Sequence, residues 1–380
     1  MQVLLIGEAS GVHRNLKKGL QTLGVDALHV MQSAAPSWKW YDKAWAPDWP
    51  GLRGGFARNV VPFFEIARLK RVDVANFVNT ITAVHGLHTR YLDIPAIRRK
   101  TRVMSYYALG CDEIGLIREN PQLPYSPCKT CLASGEVLGR DCAQFLYPRI
   151  ERSRELVRRY FDFGASSMLE YGHTEKLFPR GFSRIAFPVD VDMIPFEPAT
   201  TRTKPRIVHT PTRRGFKGTD VVIDAIHKLR EVRRDFEFQI VEGLAYADYL
   251  QAVRHADIVI DQVHSQSSGM NGLEMMAAGK VILTGSTPLG RAYFPFGDES
   301  PAFDASPYAQ TLADTLSSVL DRKADFPHIA QASRAYVERN HDIVKVAQQF
   351  LDGWKAASES NDGLSRQRHA KHLSFDFATR

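Results

Sequence analysis

The sequence predicts an α/β protein built from two Rossmann-like domains that face each other across a cleft. Three observations predict it. Residues 206–284 alternate short apolar runs (RIVHT, FEFQIV, DIVID, KVILT) with segments of helical period. The first hundred residues alternate in the same way. The chain of 380 residues exceeds one ordinary domain. Strands that alternate with crossover helices imply a parallel sheet covered on both faces, with ligands held beyond the strand C-termini.

In chain order, QVLLIG reads as a strand, GEASGVHRNL as a polar turn into a helix, and VDALHV as the next strand. The turn lacks G-x-G-x-x-G, so no dinucleotide site is indicated. Residues 33–58 read as a loop and hold Trp38, Trp40, Trp45 and Trp49 among lysines, prolines and glycines. Such a loop suits a sugar-stacking surface, a membrane interface or a lid packed on its own domain. VVPFFEIARLK reads as a helix, VDVANFV and TRVMSYYAL as strands, and residues 149–162 as a strongly basic helix that is either a solvated face or one turned toward lipid head groups. The proline-rich stretch 188–204 reads as the interdomain linker.

In the second half, Val221, Val222, Ala225, Ile226, Leu229 and Val232 share one helical face, and residues 247–254 and 269–278 supply two more crossover helices. The expected domains are 1–190, 200–335, a C-terminal helix at 336–358 packing back on the first domain, and a mobile basic tail at 359–380.

All four cysteines, Cys111, Cys128, Cys131 and Cys142, fall in one insert, residues 111–142. A C-x2-C pair with two flanking cysteines is compatible with a structural zinc held by four thiolates, with reduced thiols, and with disulfides. The net charge is +7. A basic balance suits a solvated surface, an anionic substrate or an anionic membrane face, and no zinc-finger, RNP or homeodomain pattern argues for nucleic acid. No apolar run is long enough to span a bilayer and no signal peptide opens the chain, so a cytoplasmic protein, at the inner face of a membrane if membrane-bound, is expected.

Chemistry is expected in two loops, HTPTRRGFKGT and DQVHSQSSGMNGLE. With ADIVIDQ and GMNGLEMMAAGKVIL they make the chain resemble retaining glycosyltransferases of the GT-B fold (glycosyltransferase family 4-like), which use nucleotide-diphosphate sugars. More weakly the resemblance extends over about 300 residues. It implies transfer of a sugar, hexosyltransferase-like, to a glycan or lipid-linked acceptor in surface polysaccharide or glycoconjugate synthesis, with no metal cofactor required. Sugar-nucleotide epimerisation on the same fold, or sugar-nucleotide binding without turnover, are the other readings.

Residue by residue, the donor side comprises Thr212, Arg213, Arg214, Lys217, Gly218, Gln266, Gly269, Met270, Asn271 and Glu274. Gly269, Met270 and Asn271 open a helix whose N–H groups and dipole suit phosphate oxygens. Arg213 or Arg214 with Lys217 neutralises the departing diphosphate, each contact supplying about 2–4 kcal/mol. Glu274 accepts both ribose hydroxyls. Eight positions before Glu274 the family carries a second Glu, where this chain has Gln266. Gln266 can bond a sugar hydroxyl but bears no charge. Glu274, Gln266, Lys217 and Arg213 are the catalytic set, and Gly11, His13, His85 and Asp112 are acceptor-side candidates.

Overall fold

The computed structural model describes residues 1–33, 41–78, 91–110, 120–128, 130, 147–243 and 251–376. The first domain carries strands β1 (Gln2–Ile6), β2 (Asp26–Ser33), β3 (Lys43–Ala46), β4 (Val72–Val78), β5 (Thr101–Ala108), β6 (Phe163–Ser166) and β7 (Phe182–Arg184). They form one parallel sheet in the order β3-β2-β1-β4-β5-β6-β7. The second domain carries β8 (Arg206–His209), β9 (Glu237–Ile240), β10 (Ile258–Ile260), β11 (Val281–Thr284) and β12 (Phe303–Asp304). These are also parallel, in the order β12-β11-β10-β8-β9. Strands such as LLI in β1 and IVI in β10 are buried on both faces, which is why they read as continuous apolar runs rather than alternating ones.

The strand order reverses between β1 and β4 in the first sheet and between β8 and β10 in the second. Crevices form beyond the strand C-termini at such reversals. In the second domain the loops that meet there are residues 210–218 and 261–269.

Helices α1 (Val12–Thr22), α2 (Gly51–Arg68), α3 (Asp93–Arg98) and α4 (Tyr147–Tyr160) belong to the first domain. Helices α5 (Arg214–Lys217), α6 (Thr219–Val232), α7 (Met270–Ala277), α8 (Pro288–Arg291), α9 (Ala309–Asp321) and α10 (Phe326–Asn340) belong to the second. The last helix, α11 (Ile343–Asp376), returns to pack on α1 and β5. There Trp354, 1% exposed, donates from Nε1 to Ser105 Oγ at 2.9 Å.

Three apolar clusters organise the molecule. One covers the α2–α3 face of the first sheet and one the α6–α9 face of the second. The third is shared: it runs from α1 and α11 through Ile185, Phe187, Val189 and Val191 into α7. The crossing between domains is tied down by polar contacts as well. Arg334 donates to the carbonyls of Val191, Ile194 and Ala277 at 2.9–3.1 Å, His341 Nδ1 donates to Phe187 O at 3.1 Å, and Asn15 Nδ2 donates to Pro188 O at 2.9 Å.

Three sequence expectations change. Residues 33–58 are not one loop: β3 occupies 43–46 and buries Trp45, and α2 begins at Gly51. Trp38 and Trp40 lie outside the described residues. The stretch SSMLEYGHTEKLF, which reads as a short strand and turn, is mostly a 3-10 segment, Leu169–Leu177. The region read as a tail continues α11 to Asp376. Its polar composition hides a helix because no apolar stripe marks it.

Candidate active site

Strand β8 ends at His209 and β10 at Ile260, side by side in register. His209 is fully buried and braces the two strand ends. Its Nδ1–H donates to Ile260 O at 2.8 Å, and its Nε2 accepts from Thr219 Oγ1 at 3.0 Å. Burial pushes its pKa down to about 4, so the ring is neutral and keeps this tautomer at neutral pH.

Directly after β10 stands Asp261, with no exposed side-chain surface. Its Oδ1 accepts from Lys217 Nζ at 2.5 Å and from Asn271 Nδ2 at 2.8 Å, and its Oδ2 accepts from Thr284 Oγ1 at 3.2 Å. Asn271 also donates to Thr210 Oγ1 at 3.3 Å. One buried carboxylate thus gathers the lysine of the first loop and the asparagine that opens α7. Gly218, between α5 and α6, has φ 74°, and a Cβ there would lie 2.2 Å from Val263 Cγ2. Only glycine lets the two loops close on each other.

Gly269 caps α7, and a Cβ there would meet only Gln262 Nε2, at 3.7 Å. The first N–H groups of α7, from Met270 and Asn271 on, lack intrahelical acceptors as at any helix start. Glu274 lies about a turn further along and is half-buried. Burial pushes its carboxyl up to about 7, the Asp261 charge adds to this, and Arg14 of the first domain opposes it. The Arg213 guanidinium lies 4.0 Å from the Phe216 ring centroid, Thr212 is exposed, and Arg214 is ion-paired with Glu242 at 2.6 Å on the surface. Lys217 and Asn271 therefore meet on Asp261, whose charge also acts on Glu274, while Arg214 is held by Glu242 just after β9.

Gln266 is buried at the seam between the domains. Its Nε2 donates to Tyr125 O at 3.3 Å, its Oε1 accepts from Thr287 Oγ1 at 3.0 Å, and its backbone N–H donates to Glu170 Oε1 at 2.7 Å. The same Glu170 oxygen accepts from Ser265 Oγ and from the Ser267 N–H at 3.2 Å. Glu170 is fully buried, and its Oε2 has no partner among the described residues. A first-domain carboxylate therefore caps the second-domain loop 265–267.

The first-domain expectation for His13 is corrected. The ring is fully buried, with Nδ1–H donating to Gly7 O at 2.9 Å and Nε2 accepting from Asn76 Nδ2 at 3.3 Å. His29 Nε2 donates to the same Gly7 carbonyl at 2.9 Å. Burial, reinforced by His29, holds the His13 pKa well below its usual value. His13 is a neutral brace beneath the loop, with no face for an acceptor. Gly11, φ 79°, stands at the start of α1 beneath the Arg14 guanidinium. His85, Asp112, Cys111, Cys131 and Cys142 lie outside the described residues. Cys128 is half-buried against the first-domain core, and the described residues contain no cluster of three metal-ligating side chains.

Asp261, Glu170, His209 and Arg14 were not among the expected site residues. For Asp261 the signal is in the sequence, a charged residue closing the apolar strand DIVID. Glu170 has none, because its partners are about a hundred residues away.

Residues 222–352 match the family described as glycosyl transferase-like. Anabaena HepE in complex with UDP and glucose superposes with a TM-score of 0.61 at 14% identity, over 93% of this chain and 98% of that one. Sucrose-phosphate synthase of Thermosynechococcus elongatus gives 0.59 at 12% identity, over 98% and 100% of the two chains. A Rickettsia africae glycosyltransferase gives 0.58 at 13% identity, over 94% and 98%. No curated protein matches the chain in sequence. The fold is GT-B, and its second domain carries the glycosyltransferase-like region.

Proposed function

We propose that this chain moves a sugar from a nucleotide diphosphate to a glycan or lipid-linked acceptor, with retention at the sugar carbon, in surface polysaccharide or glycoconjugate assembly. The observation that carries the reading is the meeting of Lys217 and Asn271 on Asp261 at the β8/β10 reversal, beside the start of α7 and with Glu274 near the same charge. The Lys217 ammonium and the first N–H groups of α7 take the charge that develops on the departing diphosphate, and Glu274 accepts the ribose hydroxyls. Arg213 extends the positive rim, and Gln266 marks where the donor sugar lies against the first domain. The HepE complexes contain UDP and UDP-glucose, which makes a UDP-sugar the first donor to test. No metal ion is required in this scheme, because fixed cationic and N–H groups do its work.

Incubation with a panel of nucleotide sugars, with and without lipid extract, tests the proposal by released nucleotide. Release by the wild type and loss of release in Glu274→Ala supports transfer. Binding without release under every condition sinks it. Metal analysis of the purified protein tests the separate proposal of a four-thiolate zinc in the cysteine insert: about one equivalent supports it, and a metal-free protein rejects it.

A further inference from the structure

Helix α2 is apolar on two faces. Gly54, Ala57, Pro62 and Ile66 turn inward and are buried. On the opposite side Leu52 is 95% exposed, Phe56 70% and Phe64 59%, and Trp49, just before the helix, is 55% exposed. Leu52 and Phe56 are one turn apart and Phe64 lies two turns further along, all on the outer side of the helix. Large apolar side chains left exposed together on one side of a helix mark an interaction site.

The surrounding charge selects the partner. Between residues 43 and 71 there are six basic side chains, Lys43, Arg53, Arg58, Arg68, Lys70 and Arg71, and two acidic ones, Asp48 and Glu65. Glu65 is already ion-paired with Lys43, and Arg53, Arg68, Lys70 and Arg71 are exposed. Large apolar and aromatic side chains with a basic surround and little net acid fit an anionic lipid surface. No described helix is long and apolar enough to cross a membrane. Helix α2 follows the C-terminal end of β3, the outermost strand of the first sheet, so Trp49 and Leu52 sit at the outer edge of that sheet.

We infer that the outer face of α2 docks the first domain on an anionic lipid surface. This deepens the proposal of a lipid-linked acceptor, but the docking can be tested without any transfer. The full chain is floated with vesicles of phosphatidylcholine alone and with vesicles of equal phosphatidylcholine and phosphatidylglycerol. Binding to the anionic vesicles, weakened by salt and at least about tenfold weaker for Leu52→Ser/Phe56→Ser, is expected. Both residues are exposed, so an unchanged melting temperature shows that the variant is folded. Absence of binding to either vesicle, or binding that the double variant leaves intact, overturns the inference. So does a dimer in solution that the same double variant dissociates, which would assign this face to a second copy. Donor release without lipid should be the same in wild type and variant, so failure of docking and failure of the transfer reading are separable.

Discussion

Lys217 Nζ stands 2.5 Å from Asp261 Oδ1, with Asn271 on the same oxygen. Two loops are fastened by a carboxylate that touches no solvent, and the cation that carries the diphosphate proposal is held in place before any ligand arrives. Removing one member of a largely buried pair leaves the other uncompensated. Asp261→Asn should therefore cost about 3 kcal/mol of stability. The double change Lys217→Met/Asp261→Leu should recover part of that stability and still lose nucleotide binding. Urea unfolding and calorimetric titration with UDP check the two halves of this claim.

Glu274 titrates near neutrality. Its folded pKa of about 7 lies above the ordinary 4.5, so the folded state holds the proton more tightly than the unfolded chain. The stability this group contributes is complete below about pH 4.5 and is lost as pH rises through 7. Ligand binding should run the other way, because the ionised carboxylate accepts ribose hydroxyls better than the acid does. UDP affinity is expected to rise between pH 6 and pH 8 in the wild type, and this rise should vanish in Glu274→Gln. A wild-type affinity that falls over that range contradicts the assignment.

Glu170 is the only described side chain of its domain seen to accept from Ser265, Gln266 and Ser267 together. Glu170→Ala takes the acceptor from the Gln266 and Ser267 N–H groups at the domain seam, and each unsatisfied buried group costs about 1–3 kcal/mol. A lower melting temperature and a larger radius of gyration in solution scattering are expected. If neither changes, the seam is held by other contacts.

Gly218→Ala places a side chain where φ is 74° and where Val263 is 2.2 Å away. Strain of about 1–3 kcal/mol is expected, and the two loops should be pushed apart. Weaker UDP binding at a modest fall in melting temperature is the predicted signature. Equal binding would show that the closure of the two loops is irrelevant to the site.

Trp354→Ala removes the largest fully buried side chain among the described residues, on the face where α11 meets the first sheet. A loss of about 3–5 kcal/mol is expected in chemical denaturation. An unaltered midpoint would mean that α11 is held elsewhere along its length.

Much of this protein was legible from sequence. Strand and helix positions follow from local periodicity, and alternation of the two dictates parallel sheets, so both domains and the loops at the second reversal could be located. Lys217, Asn271 and Glu274 lie in those loops, and Lys217 and Asn271 meet there on Asp261. What the sequence could not show is which distant side chains meet. Asp261 as the hub, Glu170 as a cap reaching from the other domain, and His13 sealed under its own loop are outcomes of packing between segments up to about a hundred residues apart. The apolar outer face of α2 was hidden for a related reason. Composition reveals tryptophans, phenylalanines and arginines, but only the tertiary arrangement decides which of them the core absorbs and which it leaves facing out.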